Sequence, residues 1–325
     1  MDIFNNDAKL LYSPVLKPSV WSGRADALLG EYLYQQVKLL DLSKNTSAFS
    51  DSGYALLGFQ SDEGVKRNLG NPGAAEGPMA FRKCFAKMPV HTDFNFYDAG
   101  NVSCLEGDLE AAQTELKKRV NQILSLGLMP VVIGGGHETA WGHYQGIHQY
   151  FGKESVAILN FDAHFDLRPL VDGKYGNSGT PFFQANALLE QNNQSFHYYC
   201  AGIQPFANTS SLFAYADQNK VEYHLAERIN NHPSDLTFIE KVIQQHEKIY
   251  VTVCLDVFRA SIAPGVSAPQ PLGIEAQYVI NALRLLKASK KVVSLDIVEL
   301  SPKHDVNKQT AKLASCLLME YLYDY

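Results

Sequence analysis

Short apolar runs, several rich in β-branched residues, recur along this chain between longer stretches whose apolar positions follow the helix period. Residues 54–59, 130–133, 155–159, 196–203, 220–224, 248–256 and 291–299 read as strands. Helices are expected over 27–40, from 79 onward, and over 106–126, 138–150, 233–245 and 308–323. The strand runs are continuous rather than alternating, which suits strands buried on both faces of a parallel sheet. The pattern predicts an α/β fold with a mostly parallel sheet and helices on both faces. No proline-rich, low-complexity or repeated segment divides the chain, so residues 1–325 are read as one domain with 1–50 peripheral.

Chemistry gathers where the predicted strands end. The run at 155–159 leads into Asn160-Phe161-Asp162-Ala163-His164-Phe165-Asp166. If extended backbone persists, Asp162, His164 and Asp166 alternate onto one side as the chain leaves the sheet. The strand at 130–133 runs into Gly134-Gly135-Gly136-His137-Glu138, whose glycines allow a sharp turn before His137. The strand at 248–256 carries Cys254 and Asp256 two apart, on one face. A lone Asp-x-His is weak, and a polar loop rich in Asp and His is its ordinary explanation. Three strand ends delivering such residues to one sheet edge indicate a metal site.

In this order, these motifs resemble the metal-binding motifs of the ureohydrolases, the family of arginase, agmatinase and formimidoylglutamase. The resemblance runs from Gly58 to Pro302. It implies the three-layer arginase-like fold around an eight-stranded sheet. By the family pattern His137, Asp162 and Asp166 would serve one metal, Asp162 and His164 the other, and Asp256 would also bind. Two Mn2+ per subunit are expected, since oxygen ligands dominate the set. Metals sharing carboxylates would lower the pKa of a bridging water, and the resulting hydroxide would attack an electron-poor sp² carbon. Glu299, in Asp-Ile-Val-Glu-Leu-Ser-Pro, matches the family's glutamate for the substrate cation. Asp162, as the shared carboxylate, and Glu299 are the expected catalytic residues.

Two departures sharpen the reading. The family's third motif is Asp-x-Asp, and this chain has one Asp there. Aligning Asp256 with the second Asp keeps Ala260, Pro264-Gly265 and Gly273 at family spacing and puts Cys254 in the first position. A thiolate is softer than a carboxylate and would weaken one site for manganese. The loop after the second motif lacks the histidine of arginase-like members. Its Ser178-Gly179-Thr180-Pro181-Phe182, with the stretches at 202–209 and 263–269, resembles the formimidoylglutamase branch. That implies hydrolysis of N-formimidoyl-L-glutamate to L-glutamate and formamide, a step of histidine degradation. Arg168, Asn177 and Thr180 are expected to contact this substrate alongside Glu299, with Arg67, Asn68 and Arg82 as further donors for its carboxylates. A guanidino hydrolase releasing urea is the alternative within the family. A ureohydrolase-fold binding protein with an impaired metal site is the alternative from a different functional class.

Composition narrows the setting. A net charge of −6 without a basic cluster argues against nucleic acid as partner. The first residues lack a signal peptide's basic region and apolar core, and no apolar run is long enough for a bilayer. Five cysteines without framework spacing suit a reducing cytoplasm. The expected partner is a small amidine substrate, and a homo-oligomer would be in keeping with the family's trimers and hexamers.

Overall fold

The structure, a computed structural model, describes residues 11–14, 20–44, 47–49 and 52–323. Ten strands form one sheet. They are β1 (Tyr12–Ser13), β2 (Lys38–Leu39), β3 (Tyr54–Gln60), β4 (Phe96–Ser103), β5 (Met129–Ile133), β6 (Ala157–Phe161), β7 (Tyr198–Ile203), β8 (Glu222–Leu225), β9 (Ile249–Cys254) and β10 (Val292–Val298). Their spatial order is β1-β4-β3-β5-β10-β9-β6-β7-β8, with β2 also on β4. Every pairing is parallel except β1 against β4. The chain therefore passes from β5 to β6 across a gap that β9 and β10 fill last. Such a reversal of strand order opens a crevice at the strands' carboxyl ends.

Alternation along each strand divides the interior into two layers. Leu56, Val131, Ile133, Leu159, Val251, Val253 and Leu295 face one core, with the helices Gly77–Phe85, Thr237–Gln245, Ala276–Ser289 and Gln309–Leu322. Ala55, Leu57, Val132, Ile158 and Tyr250 face the other, under the helices Leu109–Ser125, Thr139–Phe151 and Pro181–Gln191. Both sheet faces are thus dry, as the unbroken apolar runs require.

Several expectations need correction. The segment 27–40 forms only the short helix Leu33–Gln36, followed directly by β2. Its apolar spacing is met by packing of Leu33, Val37 and Leu40 in the two cores rather than by a long helix. The leading segment is accordingly not wholly peripheral, since β1 and β2 both join the sheet. With them the strand count exceeds eight. Strand β4 was not anticipated because Asp98, Gly100 and Asn101 interrupt its apolar pattern. Asp98 is buried by pairing with Arg82, at 2.9 Å from Nε and 2.8 Å from Nη2, and with Trp21 Nε1 at 2.6 Å. Arg82, fully buried in this network, is structural and not a carboxylate donor for a ligand. The helix Ala276–Ser289 was also unanticipated, and the one placed at 233–245 begins at Thr237 after a separate turn of helix, Ala226–Asn231. No described helix is long and apolar enough to cross a membrane.

Candidate metal centre

The four central strands β5, β10, β9 and β6 are neighbours in space, and each ends in residues with chemistry to offer. After β5 the chain turns through Gly134–Gly136, and close approach dictates glycine here. A Cβ on Gly135 would stand 1.6 Å from the Ser61 carbonyl oxygen. The Gly135 carbonyl in turn accepts the Glu299 N–H at 2.7 Å, so the turn is clamped by loops after β3 and β10. His137 emerges from it into the sheet edge, 1% exposed.

β6 ends at Phe161, so strict strand alternation does not place Asp162, His164 and Asp166. They converge through a turn in which the Asp162 carboxylate accepts the His164 N–H at 2.8 Å and Asp166 takes a left-handed φ of 49°. β9 likewise stops at Cys254, and Asp256 arrives from the 3-10 turn Leu255–Val257. Glu299 follows β10 with φ 68°. Two carboxylates of the site thus sit in backbone conformations that cost free energy, an arrangement common where function fixes the chain.

The geometry brings the expected ligands together. His137 Nδ1 lies 2.9 Å from Asp162 Oδ2 and 2.8 Å from Asp166 Oδ2. His164 Nδ1 lies 3.4 Å from Asp162 Oδ1 and 3.2 Å from Asp256 Oδ2. Asp162 therefore faces both imidazoles, one with each oxygen. Two overlapping groups have ligand atoms within 4.8 Å of one another: His137, Asp162 and Cys254, and Asp162, His164 and Asp256. Cys254 is thus beside the first group, at a position from which sulfur could ligate.

Electrostatics tests whether a cation fits. Burial opposes charge on His137 and His164, yet the neighbouring carboxylates hold both pKa values well above the imidazole range. Burial would raise Asp162, but the close approach of the two imidazoles holds it low. Asp166 is pushed up to about 6 by burial and then by the charge of Asp162. So many carboxylates in a dry pocket demand positive charge. Although close to two carboxylates, His137 Nδ1 has no correctly directed hydrogen bond, and Asp256 Oδ1 no partner, among the described residues. Atoms converging without bonding one another fit a divalent ion. Burial and Asp162 hold the Cys254 thiol well above its usual range, so ligation by sulfur requires the metal itself to displace its proton.

His137, His164, Asp166, Cys254 and Asp256 line one cavity together with Glu299, Arg168, Asn68, Ser178, Asn208 and Ser267, with Asp162 buried behind them. Glu299 Oε1 accepts the His137 N–H at 2.9 Å, and Oε2 accepts the Ser267 hydroxyl at 2.5 Å. Burial, with Asp256 nearby, pushes the Glu299 carboxyl up to about 7. The Arg168 guanidinium forms no ion pair with any described residue. Asn177 and Thr180 are turned into their own loop instead. Asn177 Oδ1 accepts the Gly179 N–H at 2.8 Å, and Thr180 Oγ1 accepts the Asn177 N–H at 2.9 Å. Ser178, between them, faces the cavity and accepts from Asn68 Nδ2 at 3.1 Å. Arg67 is engaged by Glu63 and Glu110. Ser267 and Asn208 were not singled out from the sequence, because serines and asparagines in loops carry no spacing signal. Thr252 did carry one: it lies two residues before Cys254 in a strand, hence on the same face.

The arginase family model matches residues 52–323. A formimidoylglutamase of Legionella pneumophila (strain Paris) is 42% identical over 313 residues, 96% of this chain and 97% of that protein. One from Geobacillus kaustophilus (strain HTA426) is 40% identical, covering 94% of this chain and 95% of that protein. Among solved structures, a Trypanosoma cruzi formiminoglutamase with Mn2+ superposes with a TM-score of 0.78. It covers 90% of this chain and 97% of that one at 24% identity, a likeness of fold. With its motifs gathered into one cavity and its relatives alike over nearly their whole length, this chain belongs to the arginase family.

Proposed function

We propose that the chain hydrolyses N-formimidoyl-L-glutamate to L-glutamate and formamide. The observation that carries the reading is a single cavity joining two overlapping ligand clusters to a buried carboxylate and a guanidinium without an ion-pair partner among the described residues. His137, Asp162 and Asp166 would hold one Mn2+, and Asp162, His164 and Asp256 the other, with Cys254 beside the first. Bound there, the pair would acidify a water at neutral pH and act as Lewis acid toward the substrate.

The protein's own groups orient the substrate. Each Glu299 oxygen keeps a lone pair beyond its present bond, so the carboxylate can still accept from a cationic amidinium. Arg168, at the cavity's rim, suits a carboxylate in the bidentate manner, with Asn68 and Ser178 as further polar contacts. Asp162 ties the two clusters together, so its loss should affect both. In the overall reaction one water adds its oxygen to the formimino carbon, the bond to the glutamate nitrogen breaks, and both water protons end on that nitrogen. Formamide leaves neutral and glutamate leaves as the ammonium.

The test is release of formamide, glutamate and urea by manganese-loaded protein, offered formimidoylglutamate, arginine, agmatine and guanidinobutyrate separately. Formamide and glutamate from the first alone supports the proposal. Urea from any guanidine replaces it with a guanidino hydrolase. Metal bound without turnover on any of the four replaces it with a binding role, in which Cys254 is the decisive substitution.

A further inference from the structure

A buried polar line runs from His137 away from the cavity, through the layer between sheet and helices. His137 Nε2 lies 3.0 Å from Thr252 Oγ1. Tyr250 lies two residues before Thr252 on β9, so both side chains are on one face of the strand. The Tyr250 hydroxyl donates to Asp296 Oδ2 on the adjacent β10. From the covering helix Thr139–Phe151, His143 Nδ1 meets the same oxygen at 2.7 Å, and its Nε2 meets Ser294 Oγ at 2.6 Å. Tyr250, Thr252, His143, Ser294 and Asp296 are all fully buried. They sit beside Val132, Tyr144 and Ile147, where apolar side chains would otherwise be expected.

Burying this many polar groups is costly unless each is satisfied, and Asp296 Oδ1 has no hydrogen-bond partner among the described residues. Stability alone is therefore a poor reason for the line. The directions of its bonds supply a better one. The Tyr250 hydroxyl donates to the Asp296 carboxylate oxygen. The Tyr250 oxygen then accepts from the Thr252 hydroxyl, and Thr252 Oγ1 accepts from His137 Nε2–H. From Tyr250 to His137 each proton then has one place, and with a metal bound the last assignment leaves the Nδ1 lone pair free to ligate it. Histidines that ligate metals are commonly oriented by such a bond to their outer nitrogen.

We propose that Thr252, Tyr250 and Asp296, braced by His143, form a positioning relay that fixes the His137 ring and keeps its proton on Nε2, presenting Nδ1 to the metal. The inference rests on His137 being a metal ligand. None of the relay residues touches substrate.

The test uses the full chain, stripped of metal and titrated with Mn2+ alone while free Mn2+ is followed by electron paramagnetic resonance. Thr252→Val should weaken binding about tenfold or more, and Tyr250→Phe, one link further away, several-fold. Thr252→Ser, which keeps the hydroxyl, should restore wild-type affinity. Melting of the metal-free proteins separates this from a packing role, which would shift the transition and leave affinity unchanged. Wild-type affinity in both Thr252→Val and Tyr250→Phe overturns the relay. So does failure of both to fold, which would make the line a requirement of the fold. His137→Ala distinguishes the two readings. If it too binds Mn2+ normally, the ligand assignment falls and the relay with it. If it binds weakly while the other two match wild type, the relay alone is wrong.

Discussion

Glu299 accepts the backbone N–H of His137 at 2.9 Å, joining two residues 162 positions apart. The carboxylate proposed to hold the substrate cation is thereby fixed to the turn that presents a proposed metal ligand. Glu299→Gln retains an oxygen to accept from His137 and removes the negative charge. It should leave Mn2+ stoichiometry unchanged and lower kcat/KM for formimidoylglutamate by about 10²-fold or more, the scale for removing a charge-stabilising group from a dry site. Steady-state kinetics at saturating Mn2+ checks this, and a variant within tenfold of wild type would remove Glu299 from substrate binding.

Asp162 faces both histidines, so its truncation should act on both clusters at once. Asp162→Ala is expected to abolish activity and to lower the metal count together, measured by equilibrium dialysis and metal analysis. Full Mn2+ stoichiometry in this variant would sink the bridging role.

Cys254→Asp tests the sulfur. A carboxylate is the harder donor, so Mn2+ should bind as tightly as in wild type or tighter, with selectivity against Zn2+ improved. The same change adds a charge to an already acidic, buried cluster. The metal-free variant should therefore melt below wild type and recover on adding Mn2+. A lower melting temperature that Mn2+ does not restore would show Cys254 to be a packed thiol rather than a neighbour of the ion.

Away from the cavity, Arg82 is paired with Asp98 and also donates to Asn101 Oδ1 at 2.7 Å and the Gly100 carbonyl at 2.8 Å. Arg82→Met leaves the Asp98 charge buried and should cost about 3–5 kcal/mol of stability. Urea unfolding of the metal-free protein measures the loss, and a loss below about 1 kcal/mol would contradict the burial of the pair.

Acid should destabilise the fold through His246. Its Nε2 meets the Tyr199 hydroxyl at 2.8 Å, and burial first, then the charges of His197 and Lys291, outweigh Glu222 and lower its pKa to about 4 from the usual 6.5. The unfolded chain takes up this proton first as pH falls. Stability should thus decline from the ordinary imidazole pKa down to about 4 and then level off in respect of this group. The slope of stability against pH over that window should flatten in His246→Gln, and an unchanged slope would assign the acid limb to other groups.

The central strands and the ligand set were legible because they combine two strong signals, unbroken apolar runs and motifs placed at the ends of those runs. His137, Asp162, His164, Asp166, Cys254 and Asp256 all come to one place. The route there was less legible. Asp166 and Asp256 arrive through turns, not by strand alternation, because local backbone angles carry no periodic signature. β4 was hidden by Asp98, whose burial depends on Arg82 and Trp21 in distant segments. Asn177 Oδ1 and Thr180 Oγ1 are held within their own loop, a use of polar side chains that the sequence does not distinguish from ligand contact.

The two strands inserted last between β5 and β6 also bear on how the protein is made. As the chain leaves the ribosome, β3 to β8 can form, but the middle of the sheet stays open until β9 and β10 arrive. Until then Asp162 and His137 belong to separate halves, and Cys254, Asp256 and Glu299 have not joined them. Chains lacking the final quarter of the sequence should therefore be unable to assemble the proposed metal site.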